Sequence, residues 1–193
     1  MTVPAATPFS VLMVCTGNIC RSPAAELLLR AGLDGDPGVE VSSAGLAALA
    51  GQPVAAPVAR LLAERGVDVD GFTARQLQPP ALRAAGLVLT MTAAQRSAVV
   101  TRLPAAVRRT FTLREFAELT SLAGPGTGPP AERLAAVVAQ APRLRAQRAG
   151  SREDDIEDPY QRPDDVVARV MDLIDDAVAG LLDVVGPRSA RTA

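Results

Sequence analysis

Short apolar runs rich in β-branched residues alternate along this chain with longer stretches where apolar side chains return every three or four positions. The short runs predict strands over Phe9–Val14, Val39–Ser43, Leu87–Met91 and Arg109–Thr112. The longer ones predict helices over Pro23–Leu33, Val54–Gly66, Ala93–Leu103, Leu113–Leu122 and Pro163–Val185. In the last of these, Val167, Val170, Ile174, Val178, Leu181 and Val185 recur at helical spacing with acidic residues between them. Strands alternating with helices predict an α/β fold, a three-layer α/β/α arrangement with a central four-stranded parallel sheet.

The pattern loosens between Ser121 and Gly150, which reads as an insertion or extended loop. Residues 124–130 are rich in glycine and proline, and a short helix is predicted over Ala131–Ala141. Beyond it Arg143, Arg145, Arg148 and Arg152 meet Glu153, Asp154, Asp155, Glu157 and Asp158. That run reads first as a solvated surface loop whose charges screen one another, and second as a lid over a site. No internal repeat or second domain is visible, so residues 1–186 are expected to form one domain and 187–193 a flexible tail.

Composition narrows the chemistry. The chain has 193 residues, enough for a core without covalent staples, and a net charge of −1 that creates no overall basic field for nucleic acid. Its two cysteines, Cys15 and Cys20, lie in one loop, so no disulfide framework is expected. No run reaches membrane-spanning length and nothing near Met1 resembles a secretion signal, so a reduced cytoplasm is the expected location, without membrane insertion. The chain has no histidine, which excludes Ser-His-Asp and Cys-His catalysis and any His-ligated metal site. It has no lysine either, which excludes a Walker-type nucleotide loop.

The candidate chemistry sits at the end of the first strand, in Cys15-Thr-Gly-Asn-Ile-Cys20-Arg21-Ser22-Pro23. A cysteine between a strand and a helix start faces converging N–H dipoles that favour a thiolate and bind phosphate. Gly17 lets backbone approach a ligand, and Asn18 tolerates a left-handed conformation. The planar fork of Arg21 can hold two phosphoryl oxygens. Ser22 is a candidate helix cap and thiolate donor, and Pro23 suits the first helical position.

This string, with the preceding Val11–Val14 strand, resembles the signature of the low-molecular-weight protein-tyrosine phosphatases, and more closely their bacterial branch. Further likenesses follow in order at Ser43-Ala44-Gly45, Ala74-Arg75-Gln76, Leu87–Met91 and Asp158-Pro159-Tyr160. The resemblance implies a phosphate-binding loop after the first strand and a metal-independent, cofactor-free hydrolysis of protein phosphotyrosine. Cys15 would attack phosphorus and form a cysteinyl-phosphate. Arg21 and the amides of Thr16, Gly17, Asn18, Ile19 and Cys20 would hold the equatorial oxygens. Asp158 would protonate the leaving group and then activate water. Ser22 and Ser43 would support the loop, and Leu49 and Tyr160 would wall the pocket. Cys20 would close a reversible disulfide with Cys15. The implied partners are tyrosine-phosphorylated proteins, with bacterial tyrosine kinases of polysaccharide export among the candidates.

Two departures stand out. Phe72 replaces the histidine that joins the residues matching Asn18, Ser22 and Ser43, which predicts that water or Ser43 alone holds Asn18. Leu49 stands where relatives acting on eukaryotic substrates place an aromatic, which removes a stacking partner. Three alternatives share features of this reading. Arginine phosphatases carry threonine at the position of Ile19, and arsenate reductases of this fold use a further cysteine outside the loop. A non-catalytic phosphotyrosine-binding module would lose Cys15, Arg21 or Asp158.

Overall fold

The computed structural model describes residues 7–124, 126–148 and 154–185. The expected tail 187–193 lies outside the described residues, as do Arg152 and Glu153. Four strands, β1 (Phe9–Cys15), β2 (Val39–Gly45), β3 (Leu87–Thr90) and β4 (Thr110–Thr112), form one sheet in the order β2-β1-β3-β4. Every pairing is parallel. The ladder between β1 and β2 runs on to Cys15 opposite Gly45, which carries both strands past their sequence-predicted ends.

Side chains of β1 alternate between two cores, as the twofold period of a strand requires. Val11, Met13 and Cys15 enter a larger core built with α1 (Arg21–Gly32), α2 (Ala56–Glu64), α5 (Leu113–Ala123), α6 (Pro130–Arg145) and α7 (Asp164–Val185). Leu12 and Val14 enter a smaller one with Leu82 of α3 (Pro79–Ala84) and Val99 of α4 (Ala93–Arg102). Helices therefore cover both faces of the sheet, and β1 is buried within it.

Several elements differ from the sequence pattern for identifiable reasons. Helix α1 begins at Arg21, with Cys20 as its N-cap and no side-chain cap. Ser22 is therefore not a cap, and Pro23 occupies the third helical position, where its missing N–H is still one of the unpaired first-turn donors. Helix α3 opens on Pro79-Pro80, and a 3-10 helix over Pro104–Arg109 opens on another proline. Neither was among the elements expected from the apolar periodicity. Helix α6 continues through Pro142 to Arg145 and buries Leu134, Val137, Ala141 and Leu144. Much of the stretch from 121 to 150 is thus packed helix.

Candidate active site

The loop from Thr16 to Cys20 is fastened from outside by its carbonyls. Cys15 and Thr16 accept from the amides of Leu46 and Ala47 at 2.9 and 3.0 Å, and Gly17 and Ile19 from those of Leu49 and Ala55 at 2.9 and 2.8 Å. In a trans peptide the C=O and the following N–H point in opposite directions. The amides of Thr16, Gly17, Asn18 and Cys20 are therefore turned away from residues 46–55 and toward the concave side of the loop. The Asn18 amide reaches Cys15 Sγ at 3.2 Å. With the uncapped first turn of α1 beside them, these donors form a cradle suited to an anion.

The Ser22 hydroxyl donates to Cys15 Sγ at 3.0 Å, so the sulfur receives two hydrogen bonds that strengthen when it carries charge. Asn18 is fully buried at φ +55, and its side chain is held at three points. Nδ2 donates to Ser22 Oγ at 2.9 Å and Ser43 Oγ at 2.8 Å, while Oδ1 accepts from the Arg75 amide at 2.7 Å. This corrects the expectation that water or Ser43 alone holds Asn18. Phe72 takes no part; its ring lies 5.8 Å from the Arg75 guanidinium. Support comes instead from buried Glu26, which accepts from Ser43 Oγ at 2.6 Å and from Arg75 Nη2 at 3.2 Å.

Arg21 is buried, and its Nη2 pairs with Asp158 Oδ2 at 2.6 Å while Nη1 donates to the Ile156 carbonyl at 3.1 Å. Its Nε is buried and has no partner among the described residues, a donor that fits a phosphoryl oxygen. Asp158 is half exposed at the mouth of the site. The segment leading to it is tied down residue by residue. Asp154 binds Arg148 through both oxygens at 2.6 and 3.1 Å, Asp155 accepts from the Ala93 amide at 2.7 Å, and the Ile156 amide donates to Met91 at 2.8 Å.

These parts enclose a pocket of about 190 Å³ with Cys15 and Arg21 among its lining and Ile19, Leu49 and Tyr160 as apolar wall. The floor is polar and the walls are not. Leu49 and Tyr160 are both well exposed at the rim. Cys20 also lines the pocket, and burial, followed by the nearby Cys15 and Asp158, pushes its thiol up to about 12. Among the described residues no three ligating side chains gather around a metal position.

Sequence reasoning missed Glu26, and it missed two glutamines that fix the walls. Gln76 accepts from the Ala48 amide and donates to the Leu46 carbonyl, and Gln95 donates to Thr16 Oγ1 at 3.2 Å. Gln76 falls in a motif the sequence displayed, but its partners are some thirty positions away in chain order. Nothing local marked Gln95.

A family model described as low molecular weight phosphotyrosine protein phosphatase matches residues 10–126. A Ralstonia nicotianae protein described as "Probable low molecular weight protein-tyrosine-phosphatase EpsP" is 41% identical over 107 residues, 55% of this chain and 72% of that one. A protein-arginine-phosphatase of Geobacillus stearothermophilus is 40% identical over 125 residues, 63% of this chain and 82% of that one. The solved YwlE arginine phosphatase from Geobacillus stearothermophilus superposes with a TM-score of 0.68 at 30% identity, covering 91% of this chain and 92% of that one.

Proposed function

The chain belongs to the low molecular weight phosphotyrosine protein phosphatase family, and from that membership we propose that it hydrolyses protein phosphotyrosine at the Cys15 cradle. The observation that carries the substrate is the contrast between a donor-lined floor and the apolar wall of Ile19, Leu49 and Tyr160. The floor suits a phosphoryl group and the wall suits an aryl ring.

In this reading the Cys15 thiolate attacks phosphorus and the ester oxygen departs with a proton from Asp158. Arg21 and the inward amides take the charge on the three remaining oxygens. Water then attacks the cysteinyl-phosphate, giving its proton to Asp158, and the thiolate leaves. In support of this reading, Asp158 lines the same pocket as Arg21 and lies half exposed with Oδ2 2.6 Å from Arg21 Nη2, within reach of a group held by that guanidinium. The substrates would be tyrosine-phosphorylated proteins of the cytoplasm, a bacterial tyrosine kinase of polysaccharide export being the leading candidate. Among the described residues no helix is long and apolar enough to cross a membrane.

The likeness to a protein-arginine-phosphatase makes phosphoarginine the second reading. Ile19 weighs against it, since an apolar β-branched side chain at the pocket wall offers nothing to a polar guanidino group. Phosphate release from phosphotyrosine and phosphoarginine peptides, measured under reducing conditions, separates the two. Turnover of phosphotyrosine that disappears in Cys15→Ser is expected; a preference for phosphoarginine would reassign the substrate. The same assay carries a redox arm. Cys15 and Cys20 line the same pocket, and in this reading Cys20 traps oxidised Cys15 as a disulfide, so thiol should restore peroxide-treated parent protein but not Cys20→Ser, and equal recovery would remove that role.

A further inference from the structure

The phosphate pocket has a neighbour. A second cavity, of about 220 Å³, lies between the Asp158–Arg162 loop, the start of α2 and the start of α7. Cys20 and Tyr160 line both cavities, so these two side chains form the partition between them. Beyond the partition the lining is apolar, with buried Val58, Pro159 and Val167. Arg162 stands exposed at the edge with no ion-pair partner among the described residues.

The loop that walls this cavity adopts a defined turn. Gln161 sits at φ +56, a left-handed conformation that a non-glycine residue adopts only when its surroundings hold it there. The Arg162 amide donates to the Pro159 carbonyl at 3.1 Å and closes the turn. Tyr160 is thereby raised between the two cavities, and Pro159 is turned into the wall of the second.

We propose that the second cavity is a substrate subsite that takes an apolar side chain lying within two residues of the phosphotyrosine, with an acidic residue beyond it meeting Arg162. This rests on the phosphotyrosine reading of the first pocket. The occupant follows from continuity: two cavities separated by one aromatic ring are spanned by a short extended segment, in which alternate side chains lie about 7 Å apart on the same side. Size agrees, since a dry cavity of roughly 150 Å³ already holds benzene, so leucine, methionine or phenylalanine fits the larger one. Charge agrees as well, because Arg162, without an ion-pair partner among the described residues, puts a guanidinium at the rim.

The test is a set of phosphotyrosyl peptides in which leucine or glycine is placed in turn at each position from two before to two after the phosphotyrosine. At one position leucine should raise kcat/KM at least tenfold over glycine. Ala55→Phe, which narrows the cavity from its α2 side, should bring that ratio, taken within the variant itself, close to one. Arg162→Glu should invert the preference between an acidic and a basic residue beyond the leucine. Ratios within twofold at every position in the parent protein would overturn the subsite while leaving the phosphatase reading intact. Absence of turnover on every peptide would overturn both.

Discussion

Glu26 is the residue on which the rigidity of the cradle turns. It is almost completely buried on α1, where Arg21 to Leu29 are all buried, and its carboxylate is satisfied by Ser43, Arg75 and, at 3.5 Å, Arg30. Through Ser43 it fixes the acceptor for Asn18 Nδ2, and through Arg75 it steadies the segment whose amide meets Asn18 Oδ1. In metal sites, partners that orient the ligands from behind are worth about ten- to a hundredfold, and Glu26 stands in a like relation to Asn18. Glu26→Ala is therefore expected to lower kcat about tenfold with little change in KM. Glu26→Gln, which keeps an acceptor for Ser43, should recover part of the loss. An unchanged kcat in Glu26→Ala would show that Asn18 holds the loop without it. That Cys15, Asn18, Arg21 and Ser22 converge on one cradle was legible because they fall in one contiguous string. Glu26 was not, although an acid inside the apolar run Pro23–Leu29 was its signal. Phe72 misled for a related reason: one lost partner was visible in the chain, and the replacement partners were distributed across β2, α1 and Arg75.

At the scale of elements, α6 acts as a strut for the loop that carries Asp158. Its C-terminal turn delivers Arg145 to Glu115 at 2.7 Å and, just beyond, Arg148 to Glu118 at 3.0 Å and to Asp154. The bonds to Asp154 and Glu118 push the Arg148 pKa up, so the guanidinium stays cationic. Asp154 is two residues before Ile156, whose carbonyl takes Arg21, and four before Asp158. Loosening this tether should misplace Asp158, the proposed proton donor, more than Cys15. Arg148→Ala should thus lower kcat/KM about tenfold on an ester with a poor leaving group, well inside the hundredfold that a 1 Å misplacement can cost. On an ester with a good leaving group, which needs less protonation, the loss should be small. Equal losses on both substrates would reduce Arg148 to a surface contact. The sequence hid this arrangement because Pro142 reads as a helix stop and the arginines after it as a charge run. Burial of Leu144 two residues beyond the proline outweighs the hydrogen bond that Pro142 cannot make.

The whole molecule shows why the fold was easier to read than the site. Strand–helix alternation specifies a parallel sheet, and such sheets gather their ligand-binding loops beyond the carboxyl ends of the strands. The cradle follows β1, its outer fastening follows β2, and Met91, which receives Ile156, follows β3. Composition adds a property of the molecule as a whole. All 20 basic residues are arginine, so no lysine contributes to the pH dependence of stability in the alkaline range. Cys20 stands apart because the folded protein retains its proton up to about 12, against an ordinary 9.0. The sign follows from linkage: the stability associated with the neutral thiol is complete below pH 9 and is lost as pH rises toward 12. The limiting slope is about 1.4 kcal/mol per pH unit. Cys20→Ala removes the group, so its melting temperature should fall less steeply than that of the parent between pH 9 and 11. Parallel curves would mean that the partition between the two cavities opens enough for the thiol to ionise in place. In that case Cys20 would be available as a thiolate beside Cys15 at alkaline pH, and oxidation to the disulfide should accelerate over the same interval.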